Sequence, residues 1–155
     1  MRISRADLFM QMAQVVAKRS TCYRLNVGAV VTIDNRVVSI GYNGVPPGEP
    51  HCRGNNCPGR DGCHETIHAE ANAIAYIPQA YGLLPRDLYV TDSPCLDCAN
   101  LIIKSRVKRV FFATPYRDLA PVQYLIMQGV QVYRVLPSGM VIDWNTGDLV
   151  DGNAL

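Results

Sequence analysis

The sequences HAE at residues 68–70 and PCLDC at residues 94–98 decide how this chain is interpreted. A helical pattern of apolar residues begins at Thr66 and stops at Pro78, which places HAE on the first turn of a predicted helix. Pro94 opens a second predicted helix over residues 96–105. The two motifs are therefore predicted to stand at the starts of two separate helices.

The residue types in these motifs are those of a metal centre. Cys95 and Cys98 are three residues apart on a helix, so both thiolates share one face and can reach one ion. With His68 as third ligand, Zn²⁺ would keep an open tetrahedral position for water, as catalytic zinc sites require. The partial positive charge at a helix N-terminus favours both thiolates. The spacing predicts a catalytic metal site held by His68, Cys95 and Cys98.

Glu70 is predicted to act beside the metal and not as a ligand. On a helix it points about 200° away from His68 around the axis, so the two side chains do not easily share one role. A carboxylate there can take a proton from metal-activated water and return it to a substrate. Taken singly, a C-x-x-C is more often structural or redox-active, and a lone H-x-E is more often surface chemistry; together they favour catalysis.

The surrounding sequence predicts an α/β domain. Ser4, three residues before Asp7, starts a packing helix with apolar positions at Leu8, Met12 and Val15. Two β-branched runs, 28–33 and 36–40, flank Asp34-Asn35 and predict a hairpin. Strands at 87–91, 106–113 and 130–135 alternate with helices, the last over 119–128. We expect a three-layer α/β/α sandwich with a mixed five-stranded sheet, formed by residues 1–135, and an extension at 136–155 that packs on this domain or in an oligomer interface.

The composition of the chain limits the kinds of binding partner that we expect. The chain has 155 residues, of which 48% are hydrophobic, and this suits one domain. A net charge of +2 does not resemble the basic surface of a nucleic-acid-binding protein, so none is expected as a partner. The N-terminal residues mix charges with apolar residues, unlike a signal peptide, and no apolar run reaches the roughly 18 residues of a membrane helix. We expect a soluble, cytoplasmic protein with no membrane partner.

H-x-E followed by P-C-x-x-C, with a glutamate that is not a ligand, is typical of nucleobase deaminases. Further segments resemble one family, the deoxycytidylate (dCMP) deaminases, which have the cytidine deaminase-like fold. They are KRSTC at 18–22, VGAV at 27–30, GYNGVP at 41–46, TIHAEANAI at 66–74 and YVT at 89–91. The resemblance runs in order from about residue 5 to residue 135. Only the last twenty residues, 136–155, follow the region of resemblance.

The resemblance implies hydrolysis of dCMP to dUMP and ammonia, which supplies dUMP for dTMP synthesis. In that scheme a zinc-activated hydroxide attacks C4 of the cytosine and Glu70 protonates N3. The backbone N–H of Ala69 holds the base carbonyl, Asn43 contacts the sugar, and Tyr116 closes over the substrate. Tyr116 could equally be a half-buried loop aromatic.

The 5'-phosphate of a mononucleotide needs a cation. By resemblance the nearest candidates are Lys18, Arg19 and Arg24, of which Arg24 is our prediction. The alternative for Arg24 is a solvated surface charge.

The remaining cysteines match a second, structural zinc site that many members of this family carry. Its predicted ligands are Cys22, Cys52, Cys57 and Cys63, with His64 or His51 as a substitute. Four thiolates in a closed tetrahedron would order the segment 41–62, whose apolar content cannot. The alternative is four reduced thiols in a loose loop.

The family also implies a homo-oligomer, often a hexamer, and regulation by dCTP and dTTP, with Mg²⁺ accompanying a triphosphate effector. Two other functions compete with this interpretation. One is a deaminase of another cytosine nucleoside or nucleotide, or of guanine or a tRNA base. The other is a catalytically silent, zinc-stabilised assembly module, which would have little reason to retain Glu70.

Overall fold

A computed structural model of the chain describes residues 1–52 and 65–155. The first helix, α1, spans Arg5–Ala17, and the Ser4 hydroxyl caps it by accepting a hydrogen bond from the Asp7 N–H at 3.1 Å, as the sequence predicts. The predicted packing face is wrong, because Leu8 and Val15 are 43% and 63% exposed. The helix instead buries small residues beside two large ones: Ala6, Phe9, Met10, Ala13 and Ala17.

Within the described residues, seven strands form one sheet. They are β1 (Gly28–Ile33), β2 (Arg36–Tyr42), β3 (Arg86–Asp92), β4 (Val107–Thr114), β5 (Gln131–Val135), β6 (Val141–Asp143) and β7 (Leu149–Val150). Their order is β2-β1-β3-β4-β5-β6-β7, with β3, β4 and β5 parallel and the other pairs antiparallel. The predicted α/β class and mixed sheet are confirmed. The predicted count of five strands is wrong, since β6 and β7 are too short to show a strand period in the sequence.

In the part of the chain that the structure describes, three further α-helices cover the face opposite α1: α2 (Ala69–Ala75), α3 (Leu96–Lys104) and α4 (Ala120–Met127). Two core clusters follow from alternation along the strands. Leu88, Val90, Val110 and Phe112 face α2, α3 and α4. On the α1 face the rings of Tyr89, Phe111 and Tyr133 stack in a row, with successive centroids 4.3 and 5.0 Å apart. The result is the expected three-layer arrangement.

The β1–β2 hairpin has the predicted turn. Asp34 and Asn35 both adopt positive φ, 50° and 58°, which a two-residue turn of type I′ requires. Asn and Asp tolerate this conformation better than most residues, so the turn chemistry and the alternating strands agree.

The helix predicted from Thr66 begins three residues later than expected. Ile67 lies in an extended segment and pairs with Gly44 through two backbone hydrogen bonds of 2.9 and 3.1 Å. His68 caps α2 with an extended backbone, φ −70° and ψ 154°. His68 is therefore not a helical residue, and the angular argument that separated it from Glu70 does not apply.

Residues 136–155 join the sheet and α1. β6 pairs with β5, and Trp144 packs edge-on against Phe112 with ring centroids 5.0 Å apart. In the first turn of α1, the Ala6 N–H donates to the Gly152 carbonyl and the Arg5 N–H donates to the Asn153 side chain, each at 3.2 Å. These contacts satisfy N–H groups that a helix start leaves without partners.

In the described part of the chain, no helix is long and apolar enough to cross a membrane.

Gly41 allows α2 to lie directly on β2. A Cβ at this position would lie 2.3 Å from both the Ala69 carbonyl oxygen and the Ala73 nitrogen. Two further bonds fix the contact: Ser39 Oγ donates to the Ala73 carbonyl at 2.5 Å, and Asn72 Nδ2 donates to the Tyr42 carbonyl at 2.8 Å. Because α2 carries Glu70, this contact sets the position of a candidate site residue.

We predict that Gly41→Ala lowers the free energy of unfolding by about 1–3 kcal/mol, because α2 must move off β2 to admit one methyl group. Urea unfolding measures the effect. Val37→Ala, at a position on the same strand that is 36% exposed, is the matched control and should change stability much less. Equal stability of Gly41→Ala and the native protein would show that the helix is not seated as closely as described.

Candidate active site

Three predicted metal ligands come together at the carboxyl end of β3. Cys95 caps α3, Cys98 lies in its first turn, and His68 caps α2. His68 Nδ1 lies 3.4 Å from Cys95 Sγ and 3.3 Å from Cys98 Sγ. All three donor atoms lie within 4.8 Å of one another. Residues that are 27 and 30 positions apart in the chain thus form one cluster.

The donor set fits Zn²⁺. With a Zn–S bond of about 2.3 Å and a Zn–N bond of about 2.05 Å, tetrahedral geometry requires an N···S separation of about 3.6 Å. The two observed separations are close to this value. Two thiolates and one imidazole are a common zinc ligand set, and three protein ligands leave one position for water.

The thiols differ in how readily they ionise. The pKa of Cys95 is lowered to about 3, because hydrogen bonds from Cys98 and then from His68 stabilise its thiolate. The pKa of Cys98 is raised, because its thiol donates to Cys95 and is buried. The pKa of His68 is raised, chiefly by its hydrogen bond with Cys95. Cys95 therefore ionises first, and a bound cation would compete with the protons for all three groups.

Glu70 is a buried carboxyl beside this cluster. Its side chain is almost fully buried, and burial raises its pKa to about 7, although its own backbone N–H and the charge of His68 favour ionisation. It lies in hydrogen-bonding contact with Cys98. A carboxyl that titrates near neutrality can both accept and donate a proton, which is the property that a general acid-base residue needs.

Asn43, predicted to contact a sugar, follows β2 and forms hydrogen bonds with the loop before β1. Its Oδ1 accepts from Ser20 Oγ at 2.6 Å and from the Val27 N–H at 2.8 Å, and its Nδ2 donates to the Leu25 carbonyl at 2.7 Å. Asn43 therefore fixes the loop that carries Arg24. A contact of Asn43 with substrate stays a prediction.

Arg24 and Tyr116, predicted separately, are in contact. Arg24 Nη2 donates to the Tyr116 hydroxyl at 3.1 Å, and Arg117 Nη2 donates to the same oxygen at 3.3 Å. The Tyr116 N–H donates to Ser93 Oγ at 2.7 Å, which ties this group to the residues just before Cys95. The sequence interpretation missed Arg117 and Ser93, although Arg117 follows Tyr116 directly.

The remaining predicted residues are placed as follows. Ala69 is the first residue of α2 and fully buried, so its N–H belongs to the helix turn beside His68. Cys22 and Cys52 are half-buried. Cys57, Cys63 and His64 lie outside the described residues, so the second zinc site stays a prediction.

The fold and the three-ligand cluster with its buried glutamate define a metal-dependent deaminase. The family model for the cytidine and deoxycytidylate deaminase zinc-binding region matches residues 3–114. The chain belongs to this family.

Similar proteins and solved structures agree with this family assignment. The chain is 40% identical to ComE operon protein 2 of Bacillus subtilis, over 92% of this chain and 77% of that protein. It is 39% identical to the deoxycytidylate deaminase of Mycobacterium phage D29, over 68% and 91% of the two chains. The crystal structure of dCMP deaminase from the cyanophage S-TIM5, in complex with dCMP and dUMP, is similar with a TM-score of 0.71 and 30% identity, covering 83% of this chain and 94% of that one.

We expect Glu70→Gln to lower the turnover rate of deamination by about 10²–10⁴-fold, because the amide cannot transfer the proton. Zinc content, measured by atomic emission, should stay at the native value because Glu70 is outside the ligand cluster. Glu65→Gln, an exposed glutamate outside the helix, serves as control and should retain full activity. Loss of zinc in Glu70→Gln would assign the residue a ligand role instead.

Proposed function

We propose that this protein hydrolyses dCMP to dUMP and ammonia, and so supplies dUMP for dTMP synthesis. The observation that carries the proposal is the combination of the His68, Cys95 and Cys98 cluster with buried Glu70 and, connected through Ser93, a pair of guanidinium groups. Its relatives named deoxycytidylate deaminase and the related structure that contains dCMP and dUMP support this assignment.

His68, Cys95 and Cys98 would hold the zinc ion, which when bound supplies an activated water for attack on an amidine carbon. Glu70 accepts a proton from that water and donates it to N3 of the cytosine, then assists departure of the amine as ammonia. The N–H of Ala69 donates to the base carbonyl. Burial of Glu70 keeps its proton at the site between these steps.

Arg24 and Arg117 are proposed to bind the 5'-phosphate. Two guanidinium groups that both donate to the Tyr116 hydroxyl are already held together before an anion arrives. Guanidinium groups bind phosphate oxygens with paired, charge-assisted hydrogen bonds. Arg117 also lies over the Tyr116 ring, 5.5 Å from its centroid. A phosphate here gives a physical reason to prefer a nucleotide over a nucleoside.

The alternatives are a deaminase of another cytosine nucleoside or nucleotide, and a silent assembly module. The pair of Arg24 and Arg117 favours a nucleotide over a nucleoside, because a phosphate supplies oxygens to which both guanidinium groups can donate. Buried Glu70 argues against a silent module, because burial of an ionisable carboxyl destabilises the fold and a module without turnover has no need of one.

Several finer proposals rest on the family. We propose that Cys22, Cys52, Cys57 and Cys63, with His64 or His51 as a substitute, hold a structural zinc ion. We further propose a homo-oligomer, a hexamer in the family pattern, and regulation by dCTP and dTTP with Mg²⁺ bound to the triphosphate. Residues 1–135 would form the catalytic domain, and residues 136–155 an extension that contributes to packing or assembly.

The substrate assignment is tested by following uracil formation from dCMP, dCTP, deoxycytidine and CMP. We expect dCMP to be the best substrate. Arg117→Ala should raise KM for dCMP by about tenfold or more and leave turnover of deoxycytidine unchanged, because only the nucleotide has the phosphate. Lys104→Ala, at the exposed end of α3, is the control and should change neither value. Failure of all four substrates would exclude the assignment.

The second zinc site is tested by metal analysis of purified protein. We expect two zinc ions per chain in the native protein and one in Cys22→Ser, because loss of one thiolate opens a closed structural site. Cys98→Ser should also lose one ion, together with activity. A single ion in native protein that still deaminates dCMP would refute the structural site alone.

A further inference from the structure

The segment that joins α1 to β1 carries Arg24 and has no regular secondary structure. It comprises residues 20–27, between α1, which ends at Ala17, and β1, which begins at Gly28. The Ser20 N–H donates to the Ala17 carbonyl at 3.0 Å, so one end of the segment is tied to the helix. Such a segment keeps one conformation only where its polar backbone groups are paired. The contacts of the segment therefore decide where Arg24 lies.

The helix that anchors this end is closely seated on the sheet. A Cβ at Gly28 would lie 2.1 Å from the Ala13 carbonyl oxygen and 2.5 Å from the Ala17 nitrogen, so α1 lies directly on the first residue of β1. Close packing of this kind restricts movement of the helix. Ser20 is therefore a fixed point from which the segment can be positioned.

A single amide side chain, that of Asn43, closes the segment. Its Oδ1 accepts hydrogen bonds from Ser20 Oγ at 2.6 Å and from the Val27 N–H at 2.8 Å, which joins the first and last residues of the segment. Its Nδ2 donates to the Leu25 carbonyl at 2.7 Å, one residue beyond Arg24. Asn43 is only 7% exposed, and shielding from water strengthens these bonds. The amide thus fixes the backbone around Arg24.

Ser20 uses both the donor and the acceptor capacity of its hydroxyl group. While the hydroxyl donates to Asn43, its oxygen accepts a hydrogen bond from the Cys22 N–H at 3.1 Å. Of the three groups bonded to the Asn43 amide in the described part of the chain, Ser20 contributes a side chain, whereas Leu25 and Val27 contribute backbone. A substitution of Ser20 can therefore loosen the segment without removing Asn43 or the arginine.

We propose that Ser20 is a positioning residue for recognition of the 5'-phosphate, and that it acts through Asn43 on Arg24. Arg24 Nη2 donates to the Tyr116 hydroxyl at 3.1 Å. A guanidinium group binds phosphate oxygens with paired bonds only when its planar donors are correctly directed. Ser20 does not touch the substrate in this scheme. Its role rests on the proposed function, because it requires Arg24 to bind the phosphate of dCMP.

The metal centre is supported by other elements. His68 and Glu70 belong to α2 and its cap, and Cys95 and Cys98 belong to α3 and its cap. Loss of the Ser20 hydroxyl should therefore weaken binding of the nucleotide and leave the chemical step unchanged. A change of KM without a change of kcat separates this role from a general loss of structure.

Steady-state kinetics of the zinc-loaded protein with dCMP and deoxycytidine test the proposal. We expect Ser20→Ala to raise KM for dCMP by about threefold to tenfold, the effect of one lost hydrogen bond, with kcat for dCMP and both constants for deoxycytidine unchanged. Ser20→Thr keeps the hydroxyl and should restore the native KM. Ser138→Ala removes a hydroxyl from the exposed turn between β5 and β6, so this matched control should behave as the native protein.

A double variant shows whether Ser20 acts through Arg24. Ser20→Ala combined with Arg24→Ala should raise KM for dCMP no further than Arg24→Ala alone, because the hydroxyl then has no guanidinium group to position. Three results would each overturn the proposal: additive increases in the double variant, an equal rise of KM for dCMP and deoxycytidine, or a native KM in Ser20→Ala.

Amide hydrogen exchange adds a measurement that needs no substrate. The Val27 N–H donates to Asn43, so it should exchange about threefold to tenfold faster in Ser20→Ala, while the amide of buried Leu88 in β3 keeps its native rate. Unchanged exchange of Val27, in a native protein that deaminates dCMP, would overturn the role of Ser20 alone. A native protein inactive on every substrate would contradict the proposed function and the role of Ser20 together.

Discussion

Three donor atoms from two separate helix starts have to meet within 4.8 Å, and this constraint governs most of the structure. A metal cluster of two sulfurs and one nitrogen tolerates little displacement, since each bond to zinc has a narrow range. His68 at the cap of α2 and Cys95 at the cap of α3 therefore need a rigid base. The sheet supplies it in two ways: α3 begins just after the carboxyl end of β3, and α2 lies directly on β2 at Gly41.

The helix carrying Glu70 is held more closely than an ordinary helix on a sheet. Gly41 removes the side chain that would separate α2 from β2, and Ser39 and Asn72 bond across the contact. Close packing restricts small movements of the helix. Glu70 thus stays buried beside Cys98, where desolvation raises its pKa to about 7. The same contact that stabilises the fold also sets the proton affinity of the candidate acid-base residue.

The proposed phosphate-binding side of the site is organised by polar contacts between distant loops. Asn43 orders the loop that carries Arg24, and Tyr116 brings Arg24 and Arg117 to one oxygen atom. Two guanidinium groups placed together repel each other, so the phenol and the loop contacts hold a charge arrangement that an anion then neutralises. Such preorganisation would lower the free-energy cost of binding the proposed phosphate.

The sequence alone determined the local features, because they depend on spacing within one element. It predicted the Ser4 cap, the Asp34-Asn35 turn, the α/β class, and the ligand set of His68 and the C-x-x-C pair. It failed where the outcome depends on neighbours distant in the chain. The buried face of α1 depends on its close contact with β1, and β6 and β7 gain pairing only because β5 offers an edge.

Tertiary structure alone decided which distant side chains meet. It placed Arg24 against Tyr116 across 92 positions, added Arg117, and turned Asn43 toward the loop before β1. It also delayed the start of α2 to Ala69, since Ile67 pairs with Gly44 instead. These results follow from packing and hydrogen bonds between segments, for which residue spacing along a chain carries no information. The sequence alone showed which residue types form the site, whereas the distances and contacts between them depend on the tertiary fold.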